Sequence, residues 1–273
     1  MLTGVEMKIG PDKAPTTRIS GSNPETIIVR GYDLVTDLIG QISFTDYIWL
    51  LVAGERPNSA QSRILDATLV AIAEHGLVPS VQASRMTLSA APEAFQGAVA
   101  AGLLGCGSVI LGSSEAAGQF AAEIIAERAK GRADAIQSTV LLYKAAKRAI
   151  PGFGHPLHKE GDPRAQKLFR LARELGLAGE YIDIMHQTEQ ELPALIGKPL
   201  KMNVSAAIPA VLLDAGYPLL ALKGVPLLAR AAGLIGHLLE EQQHPIGFYM
   251  SHAAASAITY VGPAPDGFIA AED

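Results

Sequence analysis

The sequence predicts a mostly helical fold, and three observations carry that prediction. Aliphatic residues supply most of the 49% hydrophobic content, whereas aromatic residues make up only 5% of the chain. Alanine, leucine and glycine recur throughout, and runs of β-branched residues, which favour strands, are few. With 273 residues the chain can bury a large core, either as one large domain or as two smaller ones.

Local signals place the elements in order along the chain. Residues 26–29 form a short β-like run that turns helical over "GYDLVTDLIGQ", and "SFTDYIWLLVAGERP" has a capping serine or threonine, an apolar stripe and a terminating glycine. Proline and glycine cluster at residues 151–156 and 216–226, where we expect the chain to change direction. Further helices are predicted at residues 59–74, 93–105, 114–130, 133–149, 162–175, 179–192, 204–215 and 226–242.

Charge and cysteine content narrow the class of function. The chain carries 22 basic and 27 acidic residues, a net charge of −5, and no run of lysine and arginine that tracks a phosphate backbone. A nucleic-acid partner is therefore not expected. Cys106 is the single cysteine, which excludes an internal disulfide and a multi-cysteine zinc site. The stretch "MLTGVEMKIGPDKAPTTR" lacks an apolar core with a cleavage site, so we expect a cytoplasmic protein.

An uncharged stretch at residues 94–114 is long enough to cross a bilayer. It is rich in glycine and serine rather than in large apolar residues, and it lacks an aromatic belt. Small residues let helix backbones approach closely, which favours a buried helix or a subunit interface over a membrane span. We therefore predict that the chain does not enter a membrane.

The stretch "PGFGHPLHKEGDPR" combines the groups of a small-molecule site. Its first four residues form a turn of little bulk, whose backbone amides and carbonyls can touch a ligand. His155 follows and is the side chain most easily tuned to move a proton near neutral pH. Asp162 and Pro163 suit a helix start, which puts Arg164 in the first turn with its guanidinium free to fork onto a carboxylate. A capped helix after a loop with a surface histidine explains the same residues. The turn, called the glycine turn below, consists of Pro151, Gly152, Phe153 and Gly154.

Five segments occur in a fixed order: "TRISGSNPETIIVRGYDLVTDLIG", "AIAEHG", "PGFGHPLHKEGDPR", "KMNVSAAIPAVLLDAGYP" and "LARAAGLIGHLLEE". Together they make the chain resemble the citrate synthase superfamily over about residues 17–261, and within it the short citryl-CoA lyase branch, which includes the terminal module of ATP-citrate lyase. The resemblance implies an all-α, citrate synthase-like fold and an intertwined homodimer or a higher oligomer. A large helical domain (residues 1–110 and 217–273) and a smaller one (residues 111–216) would close over a CoA thioester and a carboxylate.

The resemblance also implies roles for individual residues. His155 matches the histidine that handles the oxo-acid carbonyl or the product alcohol, and His75 matches a histidine that binds the oxo-acid. Arg164 and Arg230 match carboxylate-binding arginines, and the glycine turn matches the loop that lies against the adenine of CoA. Coenzyme A is thus expected as thioester substrate or product, and no metal is expected. The structural alternatives are a helix-ending His75, which the helix dipole favours as an imidazolium, and an Arg230 that serves as an ion-pair partner.

Three departures from the family pattern matter for the chemistry. Ser205 stands where the family has the aspartate that moves the proton of the CoA acyl carbon, and an unassisted hydroxyl is a much poorer base. The segment "LLGCGSVILGSSEAA" lacks the histidine that stabilises the enol in citrate synthases proper, as does the lyase module of ATP-citrate lyase. Met250 stands about where an arginine reaches into the partner subunit's site, which suggests fewer or different carboxylates. The candidates for a replacement base are Glu74, Glu115 and Asp162.

Three functions stay open at this point. The first is a citryl-CoA lyase-like or citrate synthase-like enzyme acting on an acyl-CoA and a small carboxylate, with His155, His75 and Ser205 as the catalytic positions and a substrate that differs from citryl-CoA. The second is a catalytically degenerate CoA-binding or regulatory paralogue, which the loss of the carboxylate base favours. The third is a lyase subunit that depends on an acid–CoA ligase as its partner.

Overall fold

The computed structural model describes residues 15–107, 111–154 and 161–267. Within these ranges helices dominate and the strands are few and short, which confirms the predicted all-α class. The chain divides into two compact units, Met1–Ser62 and Arg63–Asp273.

The first unit combines a small antiparallel sheet with one helix. Its strands pair in chain order and are β1 (Ser20–Ser22), β2 (Ile27–Val29) and β3 (Tyr32–Asp33). A π-helical turn, Leu34–Leu38, and helix α1, Phe44–Ala53, follow. The predicted strand and the predicted capped helix are confirmed, because Ser43 Oγ accepts a hydrogen bond from the backbone of Asp46 and Gly54 ends α1 in the left-handed conformation.

The second unit is built from helices packed in two groups. Helices α3, α4, α10 and α11 pack against one another, and helices α5 to α9 do the same. The eight helices predicted between residues 59 and 242 are confirmed, with ends that agree to within four residues. The bounds are α2 (Ser59–Ala73), α3 (Pro79–Ala90), α4 (Phe95–Leu104), α5 (Ser113–Ala129), α6 (Ala135–Ala145), α7 (Pro163–Glu174), α8 (Glu180–Ile196), α9 (Val204–Asp214), α10 (Gly224–Gln243) and α11 (Gly247–Ala257). The division into a large domain (1–110 and 217–273) and a small domain (111–216) stays a prediction.

Two helices, α3 and α11, were not predicted from the sequence. The core-facing positions of α3 include the polar side chains of Ser80, Ser84 and Arg85, so that the helix shows no apolar stripe. Helix α11 buries only Gly247, leaves Phe248 and Tyr249 exposed and half-buries Met250. Hydrophobic periodicity, the main sequence signal for a helix, is therefore weak in both.

The small residues at 94–114 serve packing within the chain. Helix α4 ends at Leu104, so this stretch is not one long helix. A Cβ atom at Gly102 would lie 2.7 Å from Leu234 Cδ1 and 2.9 Å from the carbonyl oxygen of Ser80. Glycine at this position therefore allows α4 to pack closely against α3 and α10.

Among the described residues one helical stretch, Leu219–Gln243, is long and apolar enough to cross a membrane by length and composition. This stretch contains the buried charged residues Arg230 and Glu241, and α10 within it packs against α3 and α4. A core helix of a folded domain meets the same criterion, so the absence of a membrane segment stays a prediction.

Candidate active site

A cavity of about 350 Å³ in the second unit brings together side chains that are far apart in the sequence. It is lined from the segment after α2, from the first turns of α5, α7 and α9, and from the middle of α10. Four of the predicted side chains and Gly154 of the glycine turn lie around it, whereas His155 lies outside the described residues. The polar lining consists of His75, Ser113, Ser114, Arg164, Asn203, Ser205 and Arg230.

Arg230 is the most unusual group in this cavity. The residue is only 2% exposed, and its Nε and Nη1 atoms are buried without a hydrogen-bond partner among the described residues. A buried guanidinium without a partner raises the free energy of the folded protein, because its N–H groups have lost their hydrogen bonds to water and have gained none within the protein. The ion-pair alternative for Arg230 therefore finds no support in the described part of the chain, and the arrangement fits a site for an anion.

Arg164 is already engaged within the protein. Its Nε and Nη2 atoms donate to the two carboxylate oxygens of Asp162, at 3.0 and 2.9 Å. The expectation of a free guanidinium is therefore wrong for that edge, since the helix-capping aspartate occupies it. The Nη1 atom shows no hydrogen bond to the described residues, and Arg164 is one of the residues that line the cavity.

Asp162 links two helices and is held in its ionised form. It is 1% exposed and caps α7, and it also accepts a hydrogen bond from the backbone of Val204 at the start of α9, at 3.0 Å. Burial acts to raise the pKa of Asp162, but hydrogen bonds from Arg164 and Val204 outweigh it and lower that pKa. A carboxylate with a lowered pKa and satisfied oxygens is a poor replacement base.

His75 follows the end of α2 and lies beside two positive charges. Partial burial of the ring, and then the charges of Arg164 and Arg230, lower the pKa of His75. The imidazole is therefore neutral near pH 7, and a neutral ring can donate one hydrogen bond and accept another. The lowered pKa favours the neutral ring over the imidazolium of the helix-ending alternative.

Ser205 has a partner that the sequence analysis missed. Its Oγ lies 2.8 Å from Ser113 Oγ, and the two serines belong to the first turns of α9 and α5. The capping side chain of Asn203 accepts a hydrogen bond from the backbone of Ser205 at 2.9 Å. The only sequence signal for Ser113 is its place at the start of a predicted helix, because 92 residues separate the two hydroxyls.

No carboxylate lines the described part of the cavity. Glu74 Oε2 lies 2.8 Å from His237 Nε2, outside the lining, and Glu115 is also absent from it. With Asp162 occupied by Arg164, none of the three predicted replacement bases faces the cavity as an available carboxylate. The described lining thus offers two arginines, a neutral imidazole and hydroxyl groups.

The glycine turn packs against the start of α9. Gly152 has a φ angle of +87°, a conformation that favours glycine, and a Cβ atom there would lie 2.8 Å from Ala206 Cβ. Both the backbone conformation and the lack of space therefore require glycine at this position. The backbone of Asn203 donates to the Gly152 carbonyl, and its side chain donates to the Gly154 carbonyl. These two carbonyls therefore already accept hydrogen bonds from Asn203, and the contact of the glycine turn with CoA stays a prediction.

A second cavity of about 330 Å³ lies along α7 and carries several basic side chains. Its lining includes Arg170, Arg173 and Lys201, together with His186, whose Nε2 lies 3.1 Å from Arg173 Nη2. Burial and then the charge of Arg173 lower the pKa of His186. The carboxylates of Asp162 and Glu189 also line this cavity, but the three basic side chains outnumber them, which favours an anion such as a phosphate group.

The family model for the citrate synthase C-terminal domain matches residues 56–247. The chain belongs to the citrate synthase family. Citrate synthase 2 of Bacillus subtilis (strain 168) is 23% identical over 223 residues, which are 81% of this chain and 56% of that protein. The glyoxysomal citrate synthase of Cucurbita maxima is 31% identical over 122 residues, 44% of this chain and 22% of that protein. The chain thus spans about half or less of the length of such curated relatives.

Solved structures of the citrate synthase fold are similar over nearly the whole chain. Citryl-CoA lyase from Hydrogenobacter thermophilus is 31% identical, covers 94% of this chain and 98% of its own length, and superposes with a TM-score of 0.84. ATP citrate lyase from Methanothrix soehngenii, in complex with citrate and coenzyme A, is 24% identical over 94% of this chain but only 43% of its own, with a TM-score of 0.72. The predicted likeness to the citryl-CoA lyase branch is therefore confirmed.

Proposed function

We propose that this citrate synthase family member makes or breaks a carbon–carbon bond between an acyl-CoA and an oxo-carboxylate, as a citryl-CoA lyase-like enzyme whose preferred substrate differs from citryl-CoA. The observation that carries the proposal is the buried guanidinium of Arg230, whose Nε and Nη1 atoms lack partners among the described residues and which shares one cavity with Arg164 and His75. The similarity to a citryl-CoA lyase over almost the full length of both chains supports the same branch.

The cavity can perform the binding steps of this chemistry. Arg230 and the Nη1 atom of Arg164 bind carboxylate groups, since a guanidinium matches a carboxylate in shape and charge. The neutral imidazole of His75 can donate a hydrogen bond to the oxo-acid carbonyl without adding a charge. CoA would enter as substrate or product beside the glycine turn, with Arg170, Arg173 and Lys201 suited to its phosphates. No step of this scheme needs a metal.

The test is a ligand screen by thermal unfolding, followed by turnover assays. A ligand that binds only the folded state raises the melting temperature by mass action. We expect upward shifts with CoA thioesters and with di- or tricarboxylates such as oxaloacetate and citrate, and slow turnover of citryl-CoA. Stabilisation by neither class of ligand contradicts the proposal.

Two other outcomes point to the alternatives. Binding of CoA without turnover of any tested thioester favours a regulatory paralogue. The missing carboxylate base at Ser205 supports the same alternative. Turnover that appears only when an acid–CoA ligase is added favours a lyase subunit with a ligase partner. The second possibility has one supporting observation, because the chain matches only 43% of the ATP citrate lyase chain.

We expect a homodimer in solution. Large apolar side chains are exposed along α10, α11 and the segment that follows, and exposed apolar surface marks interaction sites when it forms a patch. They are Ile235, Leu239, Phe248, Tyr249, Ile258 and Val261. Sedimentation at micromolar concentration should show a dimer for the wild type and for Leu142→Asp, an exposed position on α6, but a monomer for Phe248→Asp. A wild-type monomer contradicts the expectation.

Ser205→Asp should raise the rate of enolisation only modestly. The wild type is expected to exchange the methyl protons of acetyl-CoA with solvent deuterium slowly, because a hydroxyl is a weak base. An aspartate at this position restores a carboxylate, but the Ser113 hydroxyl, 2.8 Å from the present Oγ, can donate to it and weaken it as a base. Nuclear magnetic resonance of acetyl-CoA in deuterated water measures the exchange. Fast exchange by the wild type that Ser205→Ala leaves intact means that another residue is the base.

A further inference from the structure

The first turns of α5 and α9 meet at the cavity, and each presents a serine hydroxyl. Ser113 is the first residue of α5 and Ser205 is the second residue of α9, with their Oγ atoms 2.8 Å apart. The helices cross closely above this point, because a Cβ atom at Gly118 would lie 3.1 Å from Pro209 Cβ. Gly118 and Pro209 are five and four residues beyond the two serines, so this close crossing fixes the distance between the hydroxyls.

The two helix N-termini differ in how their backbone N–H groups are satisfied. In α9 the side chains of Asn203 and Asp162 accept hydrogen bonds from the backbone of Ser205 and Val204. Helix α5 is 17 residues long, begins after Gly112 and has no capping side chain. The first N–H groups of a helix carry partial positive charge and point away from its body. The start of α5 therefore favours negative charge in the cavity.

A second observation at the same cavity points to an anion independently of the helix. Arg230 is 2% exposed, and its Nε and Nη1 atoms have no partner among the described residues. The described lining of the cavity contains Arg230 and the start of α5 but no carboxylate; Glu115 in the first turn of α5 and Asp162, paired with Arg164, lie outside the lining. In a partly dry site the field of Arg230 and of the α5 N-terminus stabilises a charge that develops on a bound substrate.

We propose that Ser113 is a further catalytic residue, which donates its hydroxyl hydrogen, together with the N-terminal N–H groups of α5, to the thioester oxygen as that oxygen becomes an enolate. Ser205 is a positioning residue in this scheme. Because a hydroxyl hydrogen rotates freely, Ser205 can donate to Ser113 Oγ and turn the Ser113 hydrogen towards the substrate. This inference rests on the proposed acyl-CoA chemistry and deepens it.

The charge to be stabilised arises in a definite step. During cleavage the alcohol loses its proton to a base and becomes a ketone, while the electron pair of the breaking carbon–carbon bond forms a new C=C bond. The thioester oxygen then carries the negative charge, until the acyl carbon takes a proton from solvent and the C=O bond is restored. Hydrogen-bond donors already placed at that oxygen lower the barrier. Ser113 thus supplies the stabilisation for which citrate synthases proper use the histidine that this chain lacks.

The experiment compares the binding of two probes by isothermal titration calorimetry on the full chain. Carboxymethyl-CoA carries a carboxylate where the enolate oxygen would form, whereas CoA itself lacks that group. We expect the wild type to bind carboxymethyl-CoA more tightly than CoA, and Ser113→Ala to reduce this preference about 10- to 100-fold with the CoA affinity unchanged. Ser205→Ala should reduce it by a smaller factor. The control, Ser138→Ala, removes a hydroxyl from α6 outside the cavity and should leave both affinities unchanged.

Each of the other outcomes overturns the inference. A wild type that binds both probes equally, or a Ser113→Ala variant that keeps the preference, shows that Ser113 does not stabilise the charge, and the proposed function survives. A wild type that binds neither probe, although it unfolds cooperatively, overturns the inference and the proposed function together.

Discussion

Replacement of Arg230 by methionine is expected to stabilise the ligand-free protein and to abolish its thermal response to carboxylates. The guanidinium is 2% exposed, with two nitrogen atoms that lack partners among the described residues. Leaving such a group unsatisfied costs about 1–3 kcal/mol, and methionine fills a similar volume without that cost. The free energy of unfolding of the ligand-free variant should therefore rise by about 1–3 kcal/mol in urea titrations.

The same substitution removes the cation that a carboxylate ligand needs. Loss of a buried charged partner costs about 2–5 kcal/mol of binding free energy, which is roughly 30-fold or more in Kd. Oxaloacetate and citrate should no longer raise the melting temperature of Arg230→Met, whereas CoA should still do so. The opposite signs of the two effects, on stability and on binding, distinguish a ligand-binding arginine from a structural one.

Arg63→Met is the matched control, since Arg63 is an exposed arginine on α2 outside the cavity. It should change the free energy of unfolding by less than about 0.5 kcal/mol and leave the carboxylate response intact. If Arg230→Met destabilises the ligand-free protein, the guanidinium has a structural partner and the anion site is wrongly placed.

The predicted helices and the missed ones differ in what faces the core. Helices such as α5 and α10 have alanine and leucine at regular helical spacing, so the sequence predicts that they exist and roughly where they end. Helix α3 buries Arg85, whose partner Glu241 lies 156 residues away in the chain. Arg85 can be buried only because this distant partner neutralises its charge, and the local sequence pattern around Arg85 does not reveal that partner.

For the candidate site, too, the sequence predicts which residues take part, whereas the contacts that these residues make depend on the fold. Ordered motifs identified His75, Arg164, Ser205 and Arg230, and the cavity brings these four together. Their states could not be predicted, because each depends on contacts between segments. Asp162 takes one edge of the Arg164 guanidinium, and Ser205 faces Ser113 across 92 residues of sequence.

Glu241→Ala should destabilise the protein far more than Glu240→Ala, although both glutamates contact Arg85. Each carboxylate lies 2.6 Å from a guanidinium nitrogen of Arg85, but the side chain of Glu241 is 2% exposed and that of Glu240 is 54% exposed. Glu241 also accepts hydrogen bonds from the backbone of Ile246 and Gly247 at the start of α11. Its loss removes the buried one of the two carboxylates that neutralise Arg85, leaving the exposed Glu240, and it leaves two backbone N–H groups without their acceptor.

We expect Glu241→Ala to lower the free energy of unfolding by about 3–5 kcal/mol, the usual cost of breaking a buried ion pair. Glu240→Ala should cost about 0–1 kcal/mol, because water screens the exposed pair.

Burial acts to raise the pKa of Glu241, but hydrogen bonds from Ser89, Arg85 and the backbone outweigh it and lower that pKa. A carboxylate with a lowered pKa stabilises the fold above its ordinary pKa, near 4.5, and loses that effect as the pH falls through its folded value. Urea titrations at pH 7 and at decreasing pH below 4.5 should therefore show the gap between wild type and Glu241→Ala narrowing in acid, whereas equal losses for the two variants at pH 7 would mean that burial does not decide the strength of these pairs.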